Sequence, residues 1–354
     1  MPIDDSTLPL DLPAAAAPVR RIAVQGLGRA GLAFAAAVAQ HPSCALAGFV
    51  EPRAELRAFA KAVGFAVPAA VTLPKLLAQS PADTLIVCVP LEGRVPAADD
   101  AIAAGLAVLI DGAPAPHAEG AARLAASAAT APAPVACAAP VLFHPLFARA
   151  ARLLAHGAIG GTGRVRASVY VSRVFAPGAP PAEGDVLDVV GGELLLLLDG
   201  LFGAPTRLAA SGQRLYGERL DEVHAELTLG DGIVAGVDGS WSVPGYPHAA
   251  YVIEAEGEQG RILVSDDALE VDLLRPCDGF AAGVTRQVLA DMADPVVFDM
   301  GDPSRVLAAW LARSEAGATV GDPLDLARAL RVVRAVAALR RSIAEDGAAQ
   351  ELSV

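Results

Sequence analysis

The segment Gly26-Leu27-Gly28-Arg29-Ala30-Gly31 constrains this chain more than any other feature. It follows a short apolar run, Arg21 to Gln25, and opens a helical pattern from Ala30 to Gln40. In that place the three glycines answer three demands. The first permits a tight turn, the second lets backbone approach a pyrophosphate, and the third lets helix and strand pack closely. The free N–H groups of the helix start then favour phosphate charge. Glu51 closes the next apolar run, twenty residues beyond Gly31, where a carboxylate is expected to accept hydrogen bonds from an adenine ribose. The pattern predicts a dinucleotide held by Gly26, Gly28, Arg29, Ala30, Gly31 and Glu51, with Pro90 and Asp111 at the ends of later strands of the same sheet. Glu51 would repel a 2′-phosphate, which points to NAD. Arg53 and Arg57 leave NADP as the alternative, although both also read as ordinary solvent-facing helix charges.

Downstream, short apolar runs at Ala45–Val50, Thr84–Val89, Ala107–Ile110 and Pro134–Cys137 alternate with helical patterns at Arg53–Val63, Leu73–Ala78, Pro96–Ala104 and Ala118–Ala128. That alternation is the pattern of a doubly wound parallel sheet, an α/β Rossmann fold. From Val165 the style changes to apolar and polar residues in alternation, with further strand-like runs from Glu222 to Leu274 and the turn Gly230-Asp231-Gly232. This predicts an α+β C-terminal domain with a mostly antiparallel open sheet, covered by the leucine-rich helix Gly192 to Phe202. A chain of 354 residues accommodates both. The expected division is a loose leader over 1–20, the dinucleotide domain over 21–142, a substrate and oligomerisation domain over 143–323, and a C-terminal helix and tail over 324–354 that return near the hinge.

A formal net charge of −13 argues against nucleic acid or an anionic membrane as partner. The longest purely aliphatic stretch, Leu194 to Leu198, is far shorter than the ~20 residues that span a bilayer. The leader lacks a basic start and apolar centre, and the four cysteines show no metal-type spacing, so a cytoplasmic protein with reduced thiols and no metal is expected. Arg328, Arg331 and Arg334 recur at helical spacing opposite Leu330 and Val333 and read as the solvated face of an amphipathic helix. Apolar residues on both faces of the second sheet, among them Val234, Val237, Trp241 and Val252, lead to an expected homodimer or homotetramer through that sheet.

The order of motifs resembles the glucose–fructose oxidoreductase / inositol dehydrogenase (Gfo/Idh/MocA) family from about residue 20 to 350. Beyond the glycine motif, the matching segments are Ala82-Asp83-Thr84-Leu85-Ile86-Val87 with Pro90, Ala104-Gly105-Leu106-Ala107-Val108-Leu109, Phe143-His144-Pro145, Ala155-His156-Gly157-Ala158-Ile159-Gly160 and Leu201-Phe202-Gly203. The resemblance implies an NAD(P)-dependent oxidoreductase acting on a small polar or sugar-like substrate. It also implies a lysine and a histidine beside the reacting carbon, and here the chain departs. Asp111-Gly112-Ala113-Pro114 stands where the family has Glu-Lys-Pro, so Gly112 replaces the lysine, and the chain's two lysines are Lys61 and Lys75. The family's histidine after its "tP" motif falls at Arg94 or Val95. For its later Asp and His, counting forward from Gly184 gives Asp188 and Gly192, whereas counting back from Leu201 gives Val189 and Glu193. A one-residue insertion would reconcile the counts.

Without that lysine, reduction of a C=N or C=C bond is easier to sustain than alcohol oxidation, which needs a base as hydride leaves. The alternatives are a catalytically silent dinucleotide-binding protein and a redox-neutral enzyme, for elimination or cyclisation, that retains NAD. Candidate proton-transfer groups are His144, Asp188 and Glu193; helix capping, helix polarity or ion pairing are their ordinary structural readings. Candidate substrate contacts are Arg94, otherwise a solvated helix start, and Tyr170 and Arg173 on opposite faces of one strand. Trp241, Tyr246, His248 and Tyr251 are a candidate wall or simply sheet packing.

Overall fold

The computed structural model describes residues 19–172, 184–246, 248–292, 302–317 and 322–352; Arg173 and nearly all of the leader lie outside them. Six parallel strands form the first sheet: β1 (Arg20–Gln25), β2 (Cys44–Val50), β3 (Ala69–Ala70), β4 (Thr84–Val87), β5 (Ala107–Asp111) and β6 (Val135–Ala138). Their order is β3-β2-β1-β4-β5-β6, the doubly wound arrangement whose strand order reverses beside β1 and opens a crevice at the carboxyl ends. The helices between them are α1 (Arg29–Gln40), α2 (Ala54–Ala62), α3 (Leu73–Leu77), α4 (Leu91–Ala103) and α5 (Ala118–Ala129). Helix α4 starts five residues before the expected Pro96. Pro90, with φ −50°, supplies the N-cap, and Pro96 is accommodated inside the helix. Arg94 therefore lies in the first turn and not before it.

Helix α6 (Pro145–Ala155) leads into the second sheet, whose strands are β7 (Thr162–Tyr170), β8 (Arg207–Gln213), β9 (Glu222–Thr228), β10 (Val234–Ser240), β11 (Ala250–Gly257), β12 (Gly260–Ser265), β13 (Ala268–Leu273), β14 (Gly283–Val288) and β15 (Gln350–Glu351). Their order is β14-β13-β12-β11-β7-β10-β9-β8-β15. Every pairing is antiparallel except β7 with β10. Between β7 and β8 runs one helical segment in three parts: α7 (Val186–Val189), a π-helical turn (Val190–Leu194) and α8 (Leu195–Phe202). Leu195 to Leu198 are all buried, as a helix apolar on every side requires. The segment also buries Asp199, and helix α10 (Leu326–Ala344) supplies its partners: Arg328 Nε donates to Asp199 Oδ1 at 3.1 Å and Arg331 Nη2 at 3.0 Å. The expected solvated face of α10 is thus partly an ion-pair seam, because a carboxylate in a leucine helix needs cations. Helix α10 also packs on α5 and on β8 and so joins the two domains. Helix α9 (Pro303–Ala316) returns to the first domain, where Val306, Leu307 and Trp310 share a core with Phe34 and Val38 of α1.

The second sheet divides the apolar residues expected on its two faces. Val237 and Trp241 are buried. On the opposite face, Arg164 pairs with Glu256 at 2.6 Å, Arg166 with Glu254 at 2.7 Å, and Arg261 with Glu270 at 2.6 Å. Strand alternation puts Val237 and Trp241 on the covered side, whereas Val234, opposite Arg164, and Val284, opposite Asp272, are exposed on the open face among these charges. No helix among the described residues is long and apolar enough to cross a membrane.

Candidate functional site

At the turn from β1 into α1, each glycine faces a different physical limit. Gly26 has φ +95°, and a Cβ there would lie 2.6 Å from the Cys88 carbonyl oxygen. A Cβ on Gly31 would lie 1.9 Å from the Gly26 carbonyl oxygen, so the close packing of α1 on the turn requires glycine. Gly28 differs: it has φ −71°, and a Cβ there meets nothing within 4 Å. That open space over the start of α1 is where a pyrophosphate fits the free helix N–H groups. Arg29 and Ala30 form the first turn of α1 beneath it.

Glu51, buried at the end of β2, ties this loop to that strand end. Its Oε2 accepts from the Leu27 amide at 2.9 Å, and its Oε1 accepts from the Arg53 amide at 3.0 Å and from Arg53 Nε at 2.8 Å. Burial opposes ionisation, but the Arg53 guanidinium and the two amides outweigh it and hold the carboxyl below its ordinary range. Arg57 turns away to donate to the carbonyls of Glu51 and Pro52. The open space at Gly28 and the ionised acid at the ribose position together fit a dinucleotide.

The other end of the crevice is built by the ends of β4, β5 and β6. Pro90 leaves β4 exposed at the mouth. Arg94 reaches back from α4, its Nε donating to the Val89 carbonyl at 3.1 Å and its Nη1 to the Ala113 carbonyl at 2.6 Å. Gly112, with φ +76°, follows Asp111, and a Cβ on it would lie 3.0 Å from Arg94 Nη1. The Cys137 thiol donates to the Gly112 carbonyl at 2.7 Å. Burial pushes this thiol up to about 12, the Asp111 charge raising it and the Arg94 charge lowering it.

The second domain contributes the segment around the π turn. Asp188 sits at the third position of α7 in a capping box, its Oδ2 accepting from the Asp185 amide at 2.7 Å and its Oδ1 from Arg340 Nη2 at 3.1 Å. Burial raises its carboxyl above the ordinary range, the Asp185 charge adding to the rise and the Asp185 amide and Arg340 opposing it. A π turn carries one residue more than the α-helix it interrupts, and this one stands where the forward and backward counts disagree. Glu193 lies on it, with the Tyr251 hydroxyl donating to Oε2 at 2.5 Å.

His144 is buried and caps α6, Nδ1 accepting from the Leu146 amide at 3.3 Å. Burial pushes its imidazole down to about 4. The folded protein therefore holds His144 neutral while an unfolded chain takes up a proton below about 6.5, so this contribution is complete above that pH and is lost as pH falls toward 4. Denaturant titrations of the wild type should show up to ~3 kcal/mol less stability at pH 4 than at pH 7 from this group. A His144→Asn variant, which keeps a capping oxygen, should lose less over the same range; an equal loss would exclude His144 as the cause.

The aromatic residues divide. Tyr170 packs against Tyr246 with ring centroids 5.7 Å apart, on the same face as Arg164 and Arg166. Tyr251 and Trp241 are buried on the covered side. The clip between Arg94 and Ala113 went unread in the sequence; a cation spaced before a small residue at a strand end is too common a signal.

Residues 20–138 match the model of an oxidoreductase family, GFO_IDH_MocA, described as having an NAD-binding Rossmann fold. No curated protein matches the chain. Among solved structures, an oxidoreductase from Agrobacterium radiobacter in complex with NAD+, L-tartaric acid and magnesium is similar at a TM-score of 0.81 and 17% identity, over 94% of this chain and 98% of that one. Levoglucosan dehydrogenase with NADH and levoglucosan gives 0.80 and 18% over 95% and 100%. GenD2 from gentamicin A biosynthesis with NAD gives 0.75 and 22% over 96% and 98%. These likenesses extend the same fold over both domains.

Proposed function

We propose that the protein, whose residues 20–138 match the model of the Gfo/Idh/MocA oxidoreductase family, moves hydride between NAD(H) and a small polar substrate, by reduction of a C=N or conjugated C=C bond. The carrying observation is the loop itself: open space at Gly28 directly over the helix start, with Glu51 bonded to the Leu27 amide. Gly26, Gly28, Arg29, Ala30 and Gly31 would hold the pyrophosphate and Glu51 the adenine ribose; Pro90 and Asp111 would border the nicotinamide. When bound, the nicotinamide donates or accepts the hydride.

The residues at the β4–β5 end favour reduction. Gly112 carries no side chain, and the two lysines lie on α2 and α3, so no lysine at that strand end takes up an alcohol proton. Of the three proton-transfer candidates, His144 and Asp188 are engaged in helix caps. Glu193, held by the Tyr251 hydroxyl on the π turn, is the group we assign to proton delivery. Relatives by fold that bind levoglucosan or L-tartaric acid support a polar substrate. Subunits would pair through the open sheet face, where Val234 and Val284 stand exposed among the charges.

The test is to screen imines, enones and ketones with NADH, and sugars and inositols with NAD+. Turnover is expected with the first group, and Glu193→Gln should reduce it ~10²–10⁴-fold, the usual contribution of a general acid. Ordinary sugar oxidation by the wild type, or turnover indifferent to Glu193→Gln, would contradict the assignment.

A further inference from the structure

We propose that Arg94 is an anion anchor that holds a carboxylate of the substrate at the β4–β5 end of the crevice, an inference that rests on the oxidoreductase reading above. The guanidinium is fixed before any ligand arrives. Its Nε and Nη1 are clipped to the Val89 and Ala113 carbonyls at the ends of β4 and β5. These bonds use two of the five N–H donors of a guanidinium. Among the described residues none accepts from Nη2 and no carboxylate forms an ion pair with Arg94. Arg53, Arg313, Arg328 and Arg340 all have acid partners. A half-buried cation bonded to carbonyls, with the Asp111 charge near it but no carboxylate bonded to it, leaves room for an incoming carboxylate to take that place.

Gly112 is the second half of the device. A Cβ at that position would press on Arg94 Nη1 at 3.0 Å, so the bare strand end leaves the guanidinium its space. The location is the carboxyl end of a doubly wound sheet, where ligands of such folds bind. Arginine does not deprotonate at any working pH, so its part is to position, not to exchange protons. Its planar fork matches the two oxygens of a carboxylate. The substrate class is therefore a small carboxylate-bearing molecule, oriented by that group so that its reducible bond meets the nicotinamide.

The test uses malonate as probe and malonamide as its neutral counterpart, titrated into NADH-saturated protein and read by NADH fluorescence. The wild type should bind malonate saturably and malonamide not at all. Arg94→Gln should weaken malonate ~10- to 100-fold, the loss expected when a charge-assisted hydrogen-bonded pair is removed. Arg94→Lys, which keeps the charge without the fork, should fall between, and NADH affinity should stay within about threefold in both if the anchor serves the substrate alone. Unchanged malonate binding in Arg94→Gln, or none in the wild type, would overturn the proposal. A matching loss of NADH affinity would overturn it too, by assigning the guanidinium to the cofactor. If the wild type fails to bind NADH, the cofactor reading is what fails. Malonate titrations followed by tryptophan fluorescence without NADH then decide the anchor by the same comparison.

Discussion

Gly28→Glu protein is expected to melt at the wild-type temperature and to bind NADH at least ~100-fold more weakly, since a like charge set against a phosphate costs several kcal/mol. The backbone of Gly28 is an ordinary extended one, and a side chain there finds open space in the protein alone, so folding has no reason to suffer. The same space is where the pyrophosphate belongs. Gly31→Ala should behave in the opposite way, because its Cβ would sit 1.9 Å from the Gly26 carbonyl oxygen. Strand and helix must then separate, at a cost of ~1–3 kcal/mol, so stability and NADH affinity fall together. Paired thermal melts and NADH titrations distinguish the two. If Gly28→Glu lost stability while Gly31→Ala did not, the division of labour among the glycines would be wrong.

The second large effect is expected at Asp199, far from the glycines. Its carboxylate is buried and accepts from both Arg328 and Arg331, of which Arg328 is itself buried. Asp199→Ala leaves that guanidinium without its counter-charge, and breaking such a pair by one member costs ~3–5 kcal/mol. For domains of this size that corresponds to a melting temperature lower by roughly 10 °C. Because α10 joins the two domains, the loss should be felt by both. Adding Arg328→Met should recover part of it, since a buried pair replaced by apolar groups is often neutral. A single variant as stable as the wild type would show that the seam is solvated and contributes little.

What could be read from the sequence follows the reach of each interaction. The glycine loop and Glu51 are legible because turn, helix start and strand end lie within about one βαβ unit, so spacing alone carries the geometry. The π turn was visible as a one-residue mismatch between two counts, although neither count could say where the surplus residue sat. Arg328 was misread because a helical wheel knows nothing of Asp199, 129 residues away. The clip of Arg94 onto Ala113 spans 19 residues and uses a backbone carbonyl, which leaves no side-chain signature. In the second sheet, alternation alone predicts apolar residues on two faces without saying which face is covered. The register of β10 against β7 adds that, setting Val234 opposite Arg164 on the open side and Val237 opposite Ala167 on the covered one. Helix α9 against α1 is a return contact with no local pattern to announce it.

We propose that this chain holds NAD(H) on the Gly26–Gly31 loop with Glu51 at the ribose. Isothermal titration of the wild-type protein with NADH and, in parallel, NADPH tests it most directly. Saturable binding of one NADH per chain with micromolar affinity and weaker NADPH is expected, because the ionised Glu51 would repel a 2′-phosphate. NADPH binding as tight as NADH would show that Arg53, not Glu51, governs the ribose end. No saturable heat with either nucleotide would contradict the account as a whole.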